Sequence, residues 1–316
     1  MSLVGRLRRM FARFGRAEQT PPRPVRGPRD HVVIIDGTMS RLDPGAETNA
    51  GLTYKLLSEM DPAAGLSLRY EAGVQWQSWR HTLDIIEGRG INRQIRRMYG
   101  FLASRYRPGD RIFLFGYSRG AYAVRSLAGV IDRVGLLKSE HATERNIEIA
   151  YRHYQRDRCG AAHKSVVKRF CHAEAPIEMV GVWDTVKALG FRAPVIWRWA
   201  EKAHDFHDHR LGRHIRHGYH ALALDETREA FAPVLWETPA DHPGHVEQVW
   251  FRGTHGDIGG QLAGFQPARP LSNIPLVWML GKAEALGLAL PEGWRERFFM
   301  DADAPSSGSM RGWGKF

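Results

Sequence analysis

The chain has 316 residues, 43% of them hydrophobic, with 33 glycines and 10 tryptophans, which suits one large folded domain and excludes a disordered or fibrous protein. Its net charge is +11, but residues 1–29 hold eight arginines against the single acid Glu18, so the rest is close to balanced and no nucleic-acid partner is expected. No apolar run approaches the roughly 18 residues of a membrane-crossing helix, and Cys159 and Cys171 form neither C-x-x-C nor a metal-binding spacing, as expected of a reducing cytoplasm.

Residues 2–16 place Leu3, Leu7, Met10 and Phe14 on one helical stripe, with Arg6, Arg9, Arg13 and Arg16 opposite. That pattern predicts a basic amphipathic helix able to lie on an anionic membrane surface, or else a helix docked on its own domain. PPRPVRGP at 21–28 then reads as a stiff linker. The expected organisation is a helix and linker over 1–29, a catalytic domain over 30–300 and a loose tail over 301–316.

HVVII at 31–35 predicts a buried strand ending in Asp36-Gly37-Thr38. An aspartyl phosphatase would need a second acid where Ile34 stands. A helix is predicted over 49–60, a strand over 66–70 and a helix over 91–106, the last with Ile91, Ile95, Met98 and Leu102 on one face. Ile112 to Phe115 predicts another buried strand, followed by Gly116-Tyr117-Ser118-Arg119-Gly120 and a helix-compatible run through Leu127. Strand, G-x-S-x-G and helix together signify a nucleophile elbow, which lifts the serine above the sheet edge.

Residues 176–183 form the next predicted strand, ending at Asp184-Thr185, where Asp184 reads equally as a site acid or a helix cap. The histidine-rich segment 204–220 reads as a surface or lid helix, because arginines among the histidines would repel a metal. Residues 246–251 are the last clear strand, and His255 follows in a glycine-rich loop. Ser272 is expected to cap a helix running through Leu286.

Ser118, Asp184 and His255 stand in the chain order of α/β hydrolases. In that reading His255 takes the serine proton, Asp184 orients the imidazole, and backbone N–H groups of Arg119 and of Gly37 or Thr38 hold the oxyanion. Asp257 and Asp225 are rivals for the acid. The fold class expected is α/β, a mostly parallel sheet flanked by helices, and no metal or cofactor motif is present.

The motifs Asp36-Gly37-Thr38, FLFGYSRGAYAVRSLAG at 113–129, GVWDTVKALG at 181–190, HALALDETREAFAPVLW at 220–236, VWFRGTHGDIGG at 249–260 and LSNIPLVWML at 271–280 carry a family resemblance. Over roughly residues 30–290 the chain resembles an α/β-hydrolase family long known as a domain of unknown function. That family includes the catalytic domains of Tle-type phospholipase effectors of type VI secretion. The resemblance implies a serine hydrolase acting on lipid or other acyl esters, with the roles just given to Ser118, Asp184 and His255. The chain lacks the long extra regions such effectors carry for membrane insertion, so peripheral membrane contact is expected of the N-terminal helix. The competing reading is a non-catalytic hydrolase fold that binds a membrane surface or a protein partner.

Overall fold

In the computed structural model the described residues are 26–73, 89–155, 169–186, 211–238 and 241–309. The N-terminal amphipathic stretch, Trp76, Trp79, Trp197, Trp199 and the histidines at 204, 207 and 209 lie outside them.

Six parallel strands form one sheet: β1 Asp30–Ile35, β2 Leu66–Glu71, β3 Arg111–Tyr117, β4 Ile177–Trp183, β5 Ile215–Ala223 and β6 His245–Phe251, in the order β2-β1-β3-β4-β5-β6. The described helices that matter here are α1 Asn49–Ser58, α2 Arg89–Arg105, α3 Arg119–Val134, α4 Glu144–Gln155, the short α5 His255–Gly259 and α6 Arg269–Ala285. Parallel strands covered on both faces are apolar on both faces, and Val32, Val33, Ile34 and Ile35 are all fully buried. Alternation then divides them. Val33 and Ile35 join Leu114, Val180 and the apolar faces of α2, α3 and α4, while Val32 and Ile34 join Phe113, Phe115, Trp183, α1 and α6.

The chain runs from β1 outward to β2 and then returns to β3 on the other side of β1. This reversal makes the carboxyl ends of β1 and β3 the topological switch point of the sheet, the place where open α/β sheets bind ligands. The opposite edge is pinned by Asp110. Its carboxylate accepts both Arg26 guanidinium nitrogens (2.8 and 2.6 Å), the Arg29 and Arg107 N–H groups (2.9 and 2.8 Å) and His31 Nε2 (2.8 Å).

Three expectations are corrected. Residues 215–223 are a strand, not part of a helix, because the polar side chains find partners: Arg216 pairs with Glu178 (2.8 Å) and His217 Nδ1 meets the Glu178 carbonyl (3.0 Å). Helix α6 begins at Arg269 with Pro270 in its first turn, and Ser272 lies buried inside the helix, not at its cap. Where composition predicts a loose tail from residue 301, the described part, 301–309, is hydrogen-bonded to the domain. Arg252 donates to the Ala302 and Ala304 carbonyls (2.6 and 2.8 Å), and Asp257 accepts from Ser306 Oγ and Ser307 N–H (2.5 and 2.8 Å).

Candidate active site

Strand β3 ends at Tyr117, and Ser118 turns the chain directly into α3 with φ 57° and ψ −121°. That conformation is strained for a residue with a side chain and persists only where surrounding packing fixes it. Here the packing is visible at the motif's glycines. A Cβ on Gly120 would lie 2.1 Å from the Ile35 carbonyl oxygen, and one on Gly116 would lie 2.7 Å from the Gly120 carbonyl oxygen. Both contacts are with backbone, which cannot swing aside. The elbow is therefore pressed against the end of β1.

His255 reaches Ser118 from the far side. It is the first residue of α5, whose N-cap Thr254 forms a capping box with Asp257. Asn49 Nδ2 donates to the Ile258 and Ser272 carbonyls (2.9 and 3.0 Å), fastening α5 to α1 and α6. His255 Nε2 stands 2.9 Å from Ser118 Oγ, and its Nδ1 stands 2.6 Å from Asp184 Oδ2. The structure thus brings all three expected side chains into one hydrogen-bonded chain. The ring stacks on Tyr117 (centroids 5.0 Å apart) and packs against Phe231 (4.7 Å).

Asp184 follows β4 with φ 41°. Its Oδ1 accepts the Ala223 N–H (3.2 Å), leaving Oδ2 for the imidazole. The rival acids are engaged elsewhere. Asp257 binds Thr254, Ser306 and Ser307, and Asp225 accepts the Gly253 N–H (2.7 Å).

On the β1 side, a Cβ on Gly37 would come within 3.5 Å of Ser118 Cβ, so this loop flanks the serine. The Gly37 N–H is occupied by Asp36 Oδ1 (2.6 Å). Among the described residues, no hydrogen bond is made by the Thr38 or Arg119 N–H. Asp36 Oδ2 also accepts from Thr48 Oγ1 (2.6 Å) and Tyr70 OH (2.7 Å). Burial nevertheless pushes this carboxyl up to about 6.

Two supporting residues, Glu226 and His220, lie in the family segment 220–236 but take no catalytic role from the sequence. Glu226, in the loop after β5, accepts the His255 N–H (3.1 Å) and is gripped by Arg228 (2.8 and 2.7 Å), whose guanidinium lies 4.0 Å over the Phe231 ring. Only the run ETREAF after a strand could have pointed there. His220 is fully buried on β5, and its Nε2 accepts the Thr185 N–H (3.0 Å) beside Asp184. The ring proton therefore sits on Nδ1, 3.3 Å from Gln248 Oε1. Burial pushes His220 down to about 3, so the ring stays neutral at working pH. Replacing His220 by Leu leaves the Thr185 N–H without its acceptor, while Gln248 keeps its bonds to the Trp236 backbone. The expected result is a stability loss of ~1–3 kcal/mol, with kcat reduced more than KM, checked by denaturant titration and steady-state kinetics.

An all-parallel sheet covered by helices, with a G-x-S-x-G turn at its switch point and acid and histidine on later strand ends, defines an α/β-hydrolase fold. The model of the family described as type VI secretion phospholipase effector Tle1-like, catalytic domain, matches residues 29–282, and the chain belongs to that family. A yeast relative, the uncharacterised protein YEL023C of Saccharomyces cerevisiae, is 27% identical over 226 residues, covering 63% of this chain and 31% of its own length. An uncharacterised protein from Pseudomonas aeruginosa shares the fold at a TM-score of 0.51, with 15% identity over 93% of this chain and 50% of that one. A Tle1 effector, solved bound to the VgrG spike of a type VI secretion system, aligns at 18% identity and a TM-score of 0.39 over 75% of this chain and 52% of its own. The chain thus spans half or less of the length of the yeast and Pseudomonas proteins it matches.

Proposed function

We propose that this protein hydrolyses acyl esters, phospholipid esters among them, through an acyl-enzyme on Ser118. The observation that carries the reading is the continuous chain Ser118 Oγ, His255 Nε2, His255 Nδ1, Asp184 Oδ2 at 2.9 and 2.6 Å. A serine hydroxyl is a weak nucleophile at neutral pH. His255 accepts its proton as Oγ bonds to the acyl carbon, then returns the proton to the leaving alcohol as the ester bond breaks. A water repeats the cycle and releases the acid. Asp184 fixes the Nδ1–H tautomer and stabilises the imidazolium formed in each half. The developing oxyanion is held by the Arg119 and Thr38 N–H groups, Gly37 being excluded because Asp36 takes its N–H. The first turn of α3 adds its positive end.

Family membership supports the ester class. The test is labelling by a fluorophosphonate probe followed by peptide mass spectrometry. Wild-type protein should be modified at Ser118 and the Ser118→Ala protein should not. A fold kept only for binding would leave both unlabelled. For the N-terminal stretch, the basic helix read from Leu3 to Arg16 is proposed to meet anionic lipid. Changing Arg6, Arg9, Arg13 and Arg16 to Gln should weaken sedimentation with phosphatidylglycerol vesicles, and unchanged sedimentation would dismiss that role.

A further inference from the structure

Asp36 takes no part in the proton transfers above, yet it lies buried at the carboxyl end of β1. Ile35 pairs with Gly116 across the sheet, and a Cβ on Gly120 would lie 2.5 Å from the Asp36 carbonyl oxygen. The loop after β1 is therefore packed on the elbow. Three donors surround the Asp36 carboxylate: the Gly37 N–H on Oδ1 (2.6 Å), and Thr48 Oγ1 and Tyr70 OH on Oδ2 (2.6 and 2.7 Å). Thr48 caps α1 and Tyr70 belongs to β2, so those two bonds tie the loop to its neighbours.

The bond to Gly37 has a different consequence, because it decides which of two adjacent N–H groups stays available beside Ser118. Gly37 gives its N–H to Asp36, its carbonyl accepts the Ser40 N–H (3.1 Å), and the Thr38 carbonyl accepts Gln261 Nε2 (3.0 Å). The peptide between them is trans, so the Thr38 N–H points opposite the Gly37 carbonyl. Among the described residues that N–H makes no hydrogen bond. Packing holds the same peptide from two sides. A Cβ on Gly73 would overlap the Gly37 carbonyl and lie 2.7 Å from the Thr38 nitrogen, and one on Gly37 would lie 2.6 Å from the Tyr117 ring.

We propose that Asp36 is a positioning residue for acyl transfer: by holding the Gly37 N–H, it fixes the Gly37–Thr38 peptide with the Thr38 N–H free for the oxyanion formed at Ser118. The inference rests on the ester-hydrolase reading of Ser118 and adds to it what sets the second oxyanion donor. Such a donor is effective only when it is aimed before the charge develops, since reorientation during the reaction would raise the barrier. Gly73 serves the same end by leaving room for the peptide.

The test is turnover of 4-nitrophenyl butyrate by wild type, Asp36→Ala, Asp36→Asn and Gly73→Ala. It is paired with the affinity of each protein for butane-1-boronic acid, whose adduct with Ser118 presents an oxygen where the oxyanion forms. Asp36→Ala should lower kcat about 100-fold with KM within about threefold of wild type, the size of one lost oxyanion donor. Boronate affinity should fall with kcat. A defect of folding alone would reduce the active fraction and leave the affinity of the remaining protein unchanged. Asp36→Asn, whose amide oxygen can still accept the Gly37 N–H, should recover about tenfold of the loss. Gly73→Ala keeps Asp36 but displaces the peptide, and should reproduce both losses even if Asp36→Ala does not fold. A kcat within about threefold of wild type, or unchanged boronate affinity, in Asp36→Ala or in Gly73→Ala would overturn the role. A wild-type protein that cleaves no ester and binds no boronate would remove the hydrolase reading itself, and this role with it.

Discussion

Changing Ser118 to Ala is expected to lower kcat for a short 4-nitrophenyl ester by about 10⁴-fold or more, leaving only what oxyanion stabilisation and binding supply. The fold should persist, because among the described residues the hydroxyl's one partner is His255 Nε2 and the N-cap side chain bonds to nothing in α3. Asp184→Asn is expected to approach the same loss by a different route. An amide in place of Oδ2 can present its NH₂ to Nδ1, which would turn the imidazole to the wrong tautomer. Losses in the double variant should not add, since the groups act as one unit. Measured far-UV circular dichroism and kcat on the three proteins decide it. Retention of most activity in Ser118→Ala would remove the serine from the chemistry.

The largest effect on stability is expected at the other edge of the sheet. Asp110 is buried, and burial alone would raise its pKa, but donors from Arg26, His31, Arg107 and Arg29 outweigh that and hold it well below the usual carboxylate range. Asp110→Ala leaves His31 Nε2 and two backbone N–H groups without an acceptor at the start of β1 and β3. Arg26 reaches solvent, so the loss comes from the stranded buried donors, at ~1–3 kcal/mol for each one left unsatisfied. The sign with pH follows from the depressed value. Asp110 contributes stability above the unfolded carboxyl pKa of about 4, and that contribution is lost as pH falls through the lower folded value. Wild type and variant should therefore differ most near neutral pH and converge in acid. Urea titrations at several pH values would show this, and a difference that widened toward acid would refute the assignment.

Apolar runs made most of the sheet legible in the sequence. The segments around Val32–Ile35, Ile112–Phe115 and Val180–Val182 are fully buried on both faces, so their composition alone marks them as strands. Strand β5 escaped because its first half, Ile215 to His220, has arginine and two histidines, and their acceptors lie on β4 and β6, far away in sequence. The elbow was readable because Gly116, Ser118 and Gly120 fall within five consecutive residues, and both glycines sit where a Cβ would meet backbone. The support around it was not. Glu226, Phe231 and His220 act on His255 or the Asp184 turn from positions that no spacing connects to them. Ser272 carried a capping signal that Pro270 overrode, since proline in the first helical turn sets the start of α6.

The proposal that an acyl group passes through Ser118 is tested most directly by rapid-quench mass spectrometry during turnover of 4-nitrophenyl butyrate. A butyryl group should appear on the peptide containing Ser118 within the first turnover and be absent from the Ser118→Ala protein. Full turnover with no acylated peptide at any time, or acylation of a different residue, would contradict the mechanism built on the Ser118, His255 and Asp184 contacts.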